Sequence, residues 1–171
     1  SKQMSPKAWE GMSIEERCEA LASYTKESLN ALLDAGVNVT AVQIGNETTS
    51  AMSGVTAWNQ VTQLFSSGCN AVREISQEKE HPIQIALHFT NPENSAQYLS
   101  YAKSLDAAGV DYDIFASSYY PYWHGTLENL TKTLNTIATT YNKKVMVAEV
   151  SYCYTFEDGD GFGNSVGEGS I

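Results

Sequence analysis

Basic residues are scarce in this chain of 171 residues: 10 Lys and Arg stand against 20 Asp and Glu, for a formal net charge of −10. A surface of that sign repels phosphate backbones and anionic membrane surfaces, and there is no basic stripe to offset the repulsion, so neither nucleic acid nor a membrane is expected as a partner. Cysteine is scarce as well. Cys18, Cys69 and Cys153 are widely spaced, with no C-x-x-C pair and no neighbouring histidines, which argues against a zinc site or a disulfide framework and leaves each as a small buried hydrophobe. No apolar run approaches the ~20 residues that cross a bilayer, and the opening "SKQMSPKAWEGMS" has no apolar core of the kind a signal peptide carries. The N-x-T triplets at Asn38, Asn46 and Asn129 are read as chance matches to a glycan acceptor pattern.

What the chain does have is regular alternation. Between Ser13 and about Ala35 the apolar residues Cys18, Leu21, Leu29, Leu32 and Leu33 fall on one helical face. Ser13 and Glu16 read as a capping box and Gly36 as the stop. A strand follows at 39–45, a helix at about 56–78, and a strand "IQIALHF" at 83–89. Asn91 and Pro92 suggest the cap and first turn of a helix that ends at Gly109. "YDIFASSYY" is the third strand, Thr126 to Tyr141 the last helix, and "VMVAEV" the fourth strand. These strands are mostly continuous Val, Ile, Ala and Leu, which predicts burial on both faces in a parallel sheet and therefore an α/β fold of one domain spanning 1–171. A weak echo between "LLDAGVNVTAVQIGNE" and "SLDAAGVDYDIFASSYY" fits stacked helix-strand units.

In such folds the loops after the strands' C-terminal ends carry function. All the polar clusters fall there: Asn46 and Glu47, His88, Ser117 to Tyr120, and Glu149. Two strands thus each deliver a glutamate. Placing an unpaired carboxylate at a buried strand end is costly, and cleavage of a glycosidic bond needs two carboxyl groups, one to protonate the leaving oxygen and one to act as nucleophile or base. The ten Tyr and three Trp suit stacking on sugars, although aromatic residues also fill cores.

These residues carry a family resemblance. "VQIGNE" resembles the fourth-strand signature of the retaining glycosidases built on the (β/α)8 TIM barrel, and "ASSYYPYWHGTLENL" with "KKVMVAEVSYCYTFEDGDGFGN" is similar to the endo-β-1,4-galactanases of glycoside hydrolase family 53. The resemblance implies that Glu47 is the acid/base and Glu149 the nucleophile of a double displacement on β-1,4-galactan, the arabinogalactan side chains of pectin. It implies Asn46 as a donor to the sugar's 2-hydroxyl, and His88, Tyr119, Tyr120 and Trp123 as substrate-binding residues. A tyrosine such as Tyr119 is expected to hydrogen-bond Glu149. The tail "DGDGFGN" resembles the family's calcium loop, with Asp158, Asp160, the Phe162 carbonyl and Asn164 as ligands of a structural Ca²⁺; oxygen ligands at this spacing suit that ion. Such enzymes are secreted, which sets the expected location.

A full barrel takes about 250 residues, and only four strands are legible here, matching strands four to seven of the family barrel. The expectation is a partial barrel. In a flat four-stranded sheet the strands bearing Glu47 and Glu149 would lie roughly 14 Å apart, too far to act on one bond. The isolated chain is then expected to be inactive unless copies pair through its exposed edges. A non-catalytic carbohydrate-binding half-barrel, or a barrel glycosidase for another β-glycan, are the alternative readings. An open small-molecule binder is disfavoured by the lack of a Gly-rich phosphate loop.

Overall fold

The computed structural model describes residues 4–159 and 161–163. After a short 3₁₀ turn at Lys7–Trp9 come α1 (Ile14–Asp34), β1 (Ala41–Ile44), α2 (Trp58–Glu78), β2 (Gln84–Phe89), α3 (Ser95–Ala107), β3 (Ile114–Tyr119), α4 (Leu127–Tyr141) and β4 (Lys144–Val150). The capping box of α1 forms as read, with the Glu16 amide donating to Ser13 Oγ and the Ser13 amide to the Glu16 carboxylate. The cap of α3 lies further on than expected: Asn94 caps it by accepting from the Gln97 amide, while Asn91 sits in the left-handed region at φ 69°. An αL residue cannot begin a helix, so the turn at Asn91 delays α3 by about one turn.

The four strands form one sheet in the order β1-β2-β3-β4, every pair parallel. Parallel neighbours in sequence order need crossovers, and right-handed crossovers put all the helices on one side. That side is the main core. Ile44, Ile85, Leu87, Phe89 and Phe115 from the sheet meet Val61, Leu64, Phe65, Val72 and Ile75 of α2, Tyr98 and Leu105 of α3, and Ile137 of α4. Burying each large apolar side chain contributes about 1.5–3 kcal/mol. Gly68 lets α2 sit close on the sheet, since a Cβ there would stand 2.8 Å from Ile44 Cγ2.

The expected burial on both faces is met only in part. The opposite face is buried only in its middle, by Ala86, Ile114 and Ala116 with Ala148 packed against them, and short side chains on an inner face are what permit a sheet to curl. On the outer strands Ala41, Gln43, Lys144 and Met146 remain exposed. The result is a curved arc of four βα units, a partial (β/α) barrel. Cys69 is buried, Cys18 and Cys153 are half-buried, and all three are free thiols.

Candidate active site

At the C-terminal end of β1 the chain reverses through Gly45 at φ 77° and Glu47 at φ 46°. A Cβ on Gly45 would come 2.6 Å from Thr48 Cγ2, so the turn that presents Asn46 and Glu47 requires glycine. Thr48 then clamps the loop to β2, its amide and hydroxyl both donating to the His88 carbonyl at 2.9 and 2.8 Å. Thr49 and Thr90 add a reciprocal pair at 2.8 Å in each direction.

Glu149 reaches the site by a different device. Along β3, Phe115 and Tyr119 face the helices whereas Ile114, Ala116 and Ser118 face inward. In β4 the matching residues are Val145 and Val147 outward and Lys144 and Met146 inward. Simple alternation would turn Glu149 toward the helices. The register instead shifts between Ser117 and Ser118, pairing Ser117 with Val147 and Ser118 with Glu149, so that Ala148 is an extra residue. This bulge re-aims Glu149 onto the inner face, as bulges beside functional sites do.

The inner-face polar residues then converge. The Ser118 hydroxyl lies 2.7 Å from Glu47 Oε1 and 2.9 Å from His88 Nε2. His88 Nδ1 lies 3.1 Å from Asn46 Oδ1 and 3.8 Å from Glu149 Oε1, and the Tyr120 hydroxyl donates to Glu149 Oε2 at 2.8 Å. One hydroxyl and one imidazole therefore span the two carboxylates, and the contact distances together with the ring's width keep the nearest carboxylate oxygens closer than the roughly 14 Å of a flat sheet.

His88 and Ser118 are fully buried, and both glutamates are half-buried at the rim. Burial pushes the His88 imidazole below its ordinary value, opposed by the nearby negative charges of Glu149 and Glu47. The hydrogen bond to Glu149 holds the Tyr120 hydroxyl above its ordinary value, with smaller contributions from desolvation and the two carboxylates.

Asn46, Glu47, His88, Tyr120 and Glu149 thus come together as the sequence suggested. Tyr119 does not join them. It faces the helices, 5% exposed, and donates to the Gly125 carbonyl; the tyrosine that meets Glu149 is its neighbour of opposite parity, Tyr120. Trp123 is 50% exposed beside Tyr120, ring centroids 5.5 Å apart. Tyr122 and Tyr152 stack at 5.2 Å, nearly parallel, and extend this aromatic rim. Ser118 lies in the Ser117 to Tyr120 cluster read at this end of the strands, without a role of its own there, and shares inner parity with Ala116; Tyr152 gave no signal beyond the alternating aromatics of "SYCY". Buried His124 accepts the Tyr120 amide at Nδ1 and fixes that corner.

In the tail, both Asp158 carboxylate oxygens accept backbone amides, from Gly161 and Gly163. Phe162 is exposed, and Asp160 and Asn164 lie outside the described residues. Among the described residues no group of three His, Cys, Asp or Glu side chains is placed to hold a metal ion, so these residues alone do not compose a calcium shell.

Comparison with known proteins adds the chain's relatives. The chain is 53% identical over 165 residues to the endo-β-1,4-galactanase of Bacillus subtilis, covering 96% of this chain and 38% of that protein. It is 34% identical to the arabinogalactan endo-β-1,4-galactanase of Cellvibrio japonicus, covering 99% of this chain and 47% of that one. The chain spans less than half the length of these curated relatives. The solved structure of the Ignisphaera aggregans GH53 catalytic domain superimposes with a TM-score of 0.84 at 32% identity, over 94% of this chain and 44% of that one. A profile of glycosyl hydrolase family 53 matches residues 1–170, and this chain belongs to that family.

Proposed function

We propose that this chain carries the catalytic carboxylates of a retaining glycoside hydrolase acting on β-1,4-galactan, as in the arabinogalactan side chains of pectin. The observation that supports this most directly is the pair of glutamates from the first and last strands, turned onto one concave face and joined through Ser118 and His88. In this reading Glu47 protonates the leaving oxygen while Glu149 attacks the anomeric carbon. Water then resolves the glycosyl ester with Glu47 as base. The Tyr120 hydroxyl holds one Glu149 oxygen in place so that the other is free to attack. Asn46 donates to the sugar's 2-hydroxyl, and exposed Trp123 with Tyr120 offers a stacking surface.

The test is hydrolysis of β-1,4-galactan by the chain and by a protein of its relatives' full length, with the anomer of the first product read by NMR. Retained configuration, and loss of at least about 10³-fold in turnover in Glu149→Gln with galactan binding kept, are the expected results. Binding without hydrolysis in both proteins would instead favour a non-catalytic carbohydrate-binding module.

The calcium reading rests on the spacing of Asp158, Asp160 and Asn164 and on family resemblance. If it holds, millimolar Ca²⁺ raises the melting temperature by RT ln(1 + [L]/Kd) worth of stability, and Asp158→Ala abolishes the rise. An extracellular location for the whole protein belongs to the same proposal, as does self-association of the chain.

A further inference from the structure

The hydrogen count around Ser118 carries one step further, resting on Glu47 as the acid/base. Gln43 Nε2 donates to the Gly45 carbonyl at 2.9 Å, which fixes the orientation of that amide. The same nitrogen donates to Asn46 Oδ1 at 3.1 Å, so the oxygen of Asn46 is the atom that faces His88 Nδ1. An acceptor at 3.1 Å requires a hydrogen on Nδ1. The other ring nitrogen, Nε2, then faces Ser118 Oγ, which owns a single hydrogen and also touches Glu47 Oε1.

Only two arrangements satisfy every atom. In one, Glu47 is a carboxylic acid donating to Ser118, and Ser118 donates to the bare Nε2 of a neutral His88. In the other, Glu47 is a carboxylate accepting from Ser118, and an imidazolium Nε2–H donates to Ser118. The two differ by concerted movement of two hydrogens. The Glu47 O–H bond breaks as a bond to Ser118 Oγ forms, and the Ser118 O–H bond breaks as a bond to His88 Nε2 forms. No proton is gained or lost. We propose that Ser118 is a positioning residue that makes Glu47 and His88 hold one proton in common, keeping the acid/base charged with the proton it must deliver.

The choice between the arrangements is set by the groups facing the ring: Glu47 from the loop after β1, Ser118 from β3, and Glu149, itself bonded to Tyr120, from β4. The ring is wholly buried, and burial lowers its proton affinity more than Glu149 and Glu47 raise it, which, of the two arrangements, favours the one with the neutral ring. When Glu47 gives that proton to a leaving oxygen, the Ser118 hydrogen can turn from His88 to the new carboxylate and stabilise the charge as it forms, leaving Nε2 without a hydrogen until Glu47 is reprotonated.

The test needs no turnover, so it stands or falls apart from the hydrolysis reading. The pH titration of His88 ring ¹⁵N and Glu47 side-chain ¹³C signals is followed by NMR in the intact chain, in Ser118→Ala and in Glu47→Gln. Coupled sites report shared macroscopic midpoints. The expected result is a neutral His88 carrying its hydrogen on Nδ1, with both signals showing the same two midpoints. In Ser118→Ala the two signals should no longer share their midpoints. In Glu47→Gln, whose amide can still donate to Ser118, His88 should show one midpoint and keep its tautomer. Independent midpoints in the intact chain, a neutral ring protonated on Nε2, or shared midpoints that survive Ser118→Ala would overturn the proposal. A merely structural Ser118 would alter stability and leave the titration pattern as it was.

Discussion

His88 and His124 are the residues through which pH reaches this fold. Both are buried, at 0% and 2% exposure, and burial lowers each from its ordinary value of 6.5. For His124 the opposing charges are Glu93 and Glu47. A base whose folded value is depressed contributes stability that is fully present above its unfolded value and lost as pH falls through the folded one, because the unfolded chain takes up the proton first. The chain should therefore melt at a lower temperature at about pH 5 than at about pH 7.5. His124→Asn, which keeps an acceptor for the Tyr120 amide, should flatten that slope, as checked by calorimetry across the range. Asp111 acts in a different window. The Arg73 hydrogen bond holds it below its ordinary value of 3.8, against desolvation, so its contribution is lost only in stronger acid.

The bulge in β4 shows how a single residue within an element decides the site. Deleting Ala148 should remove the bulge and, by plain alternation after outward-facing Val147, keep Glu149 opposite Ser118 on the inner face, beside His88 and Tyr120. Helical circular dichroism should persist, since α1 to α4 bury their own faces, and the His88 titration should stay in place because the Glu149 charge that raises it remains beside the ring. A His88 titration that moves further down in the folded deletion variant would mean that Glu149 has left the inner face and that Ala148 is not the extra residue of the bulge.

The same strand marks where sequence reading stops. Helix α1 declared itself by its capping box and apolar spacing, and the four strands by their Val, Ile and Ala runs. Asn46, Glu47 and Glu149 were legible because a carboxylate at a strand end has few structural uses. A bulge leaves no trace in "VMVAEV", because its cause is the partner strand's register, so parity counted along the sequence could not show which of Tyr119 and Tyr120 meets Glu149. Ser118 could be placed on the functional face but given no role, for the same reason: a serine becomes informative only once its neighbours across the sheet are known.

At the scale of the whole molecule, the curvature that gathers the site also leaves the edges of the sheet open. Among the described residues β1 and β4 each pair on one side only, and near them Leu32, Val37, Met146, Val147 and Val150 are 37–64% exposed. An unpaired parallel edge offers a row of backbone donors and acceptors with apolar side chains around it, and another strand satisfies both. Two arcs of this kind have complementary edges, because β1 of one copy can continue the parallel order after β4 of another. The isolated chain should therefore associate as its concentration rises, with mass read by light scattering increasing from that of the monomer. Val147→Lys places a charge beside the β4 edge, where pairing would desolvate it at considerable cost, and should shift the equilibrium toward monomer without altering the melting profile of the helices. A chain that stays monomeric at millimolar concentration, or a lysine variant that associates as readily as the parent, would show that these edges are already satisfied.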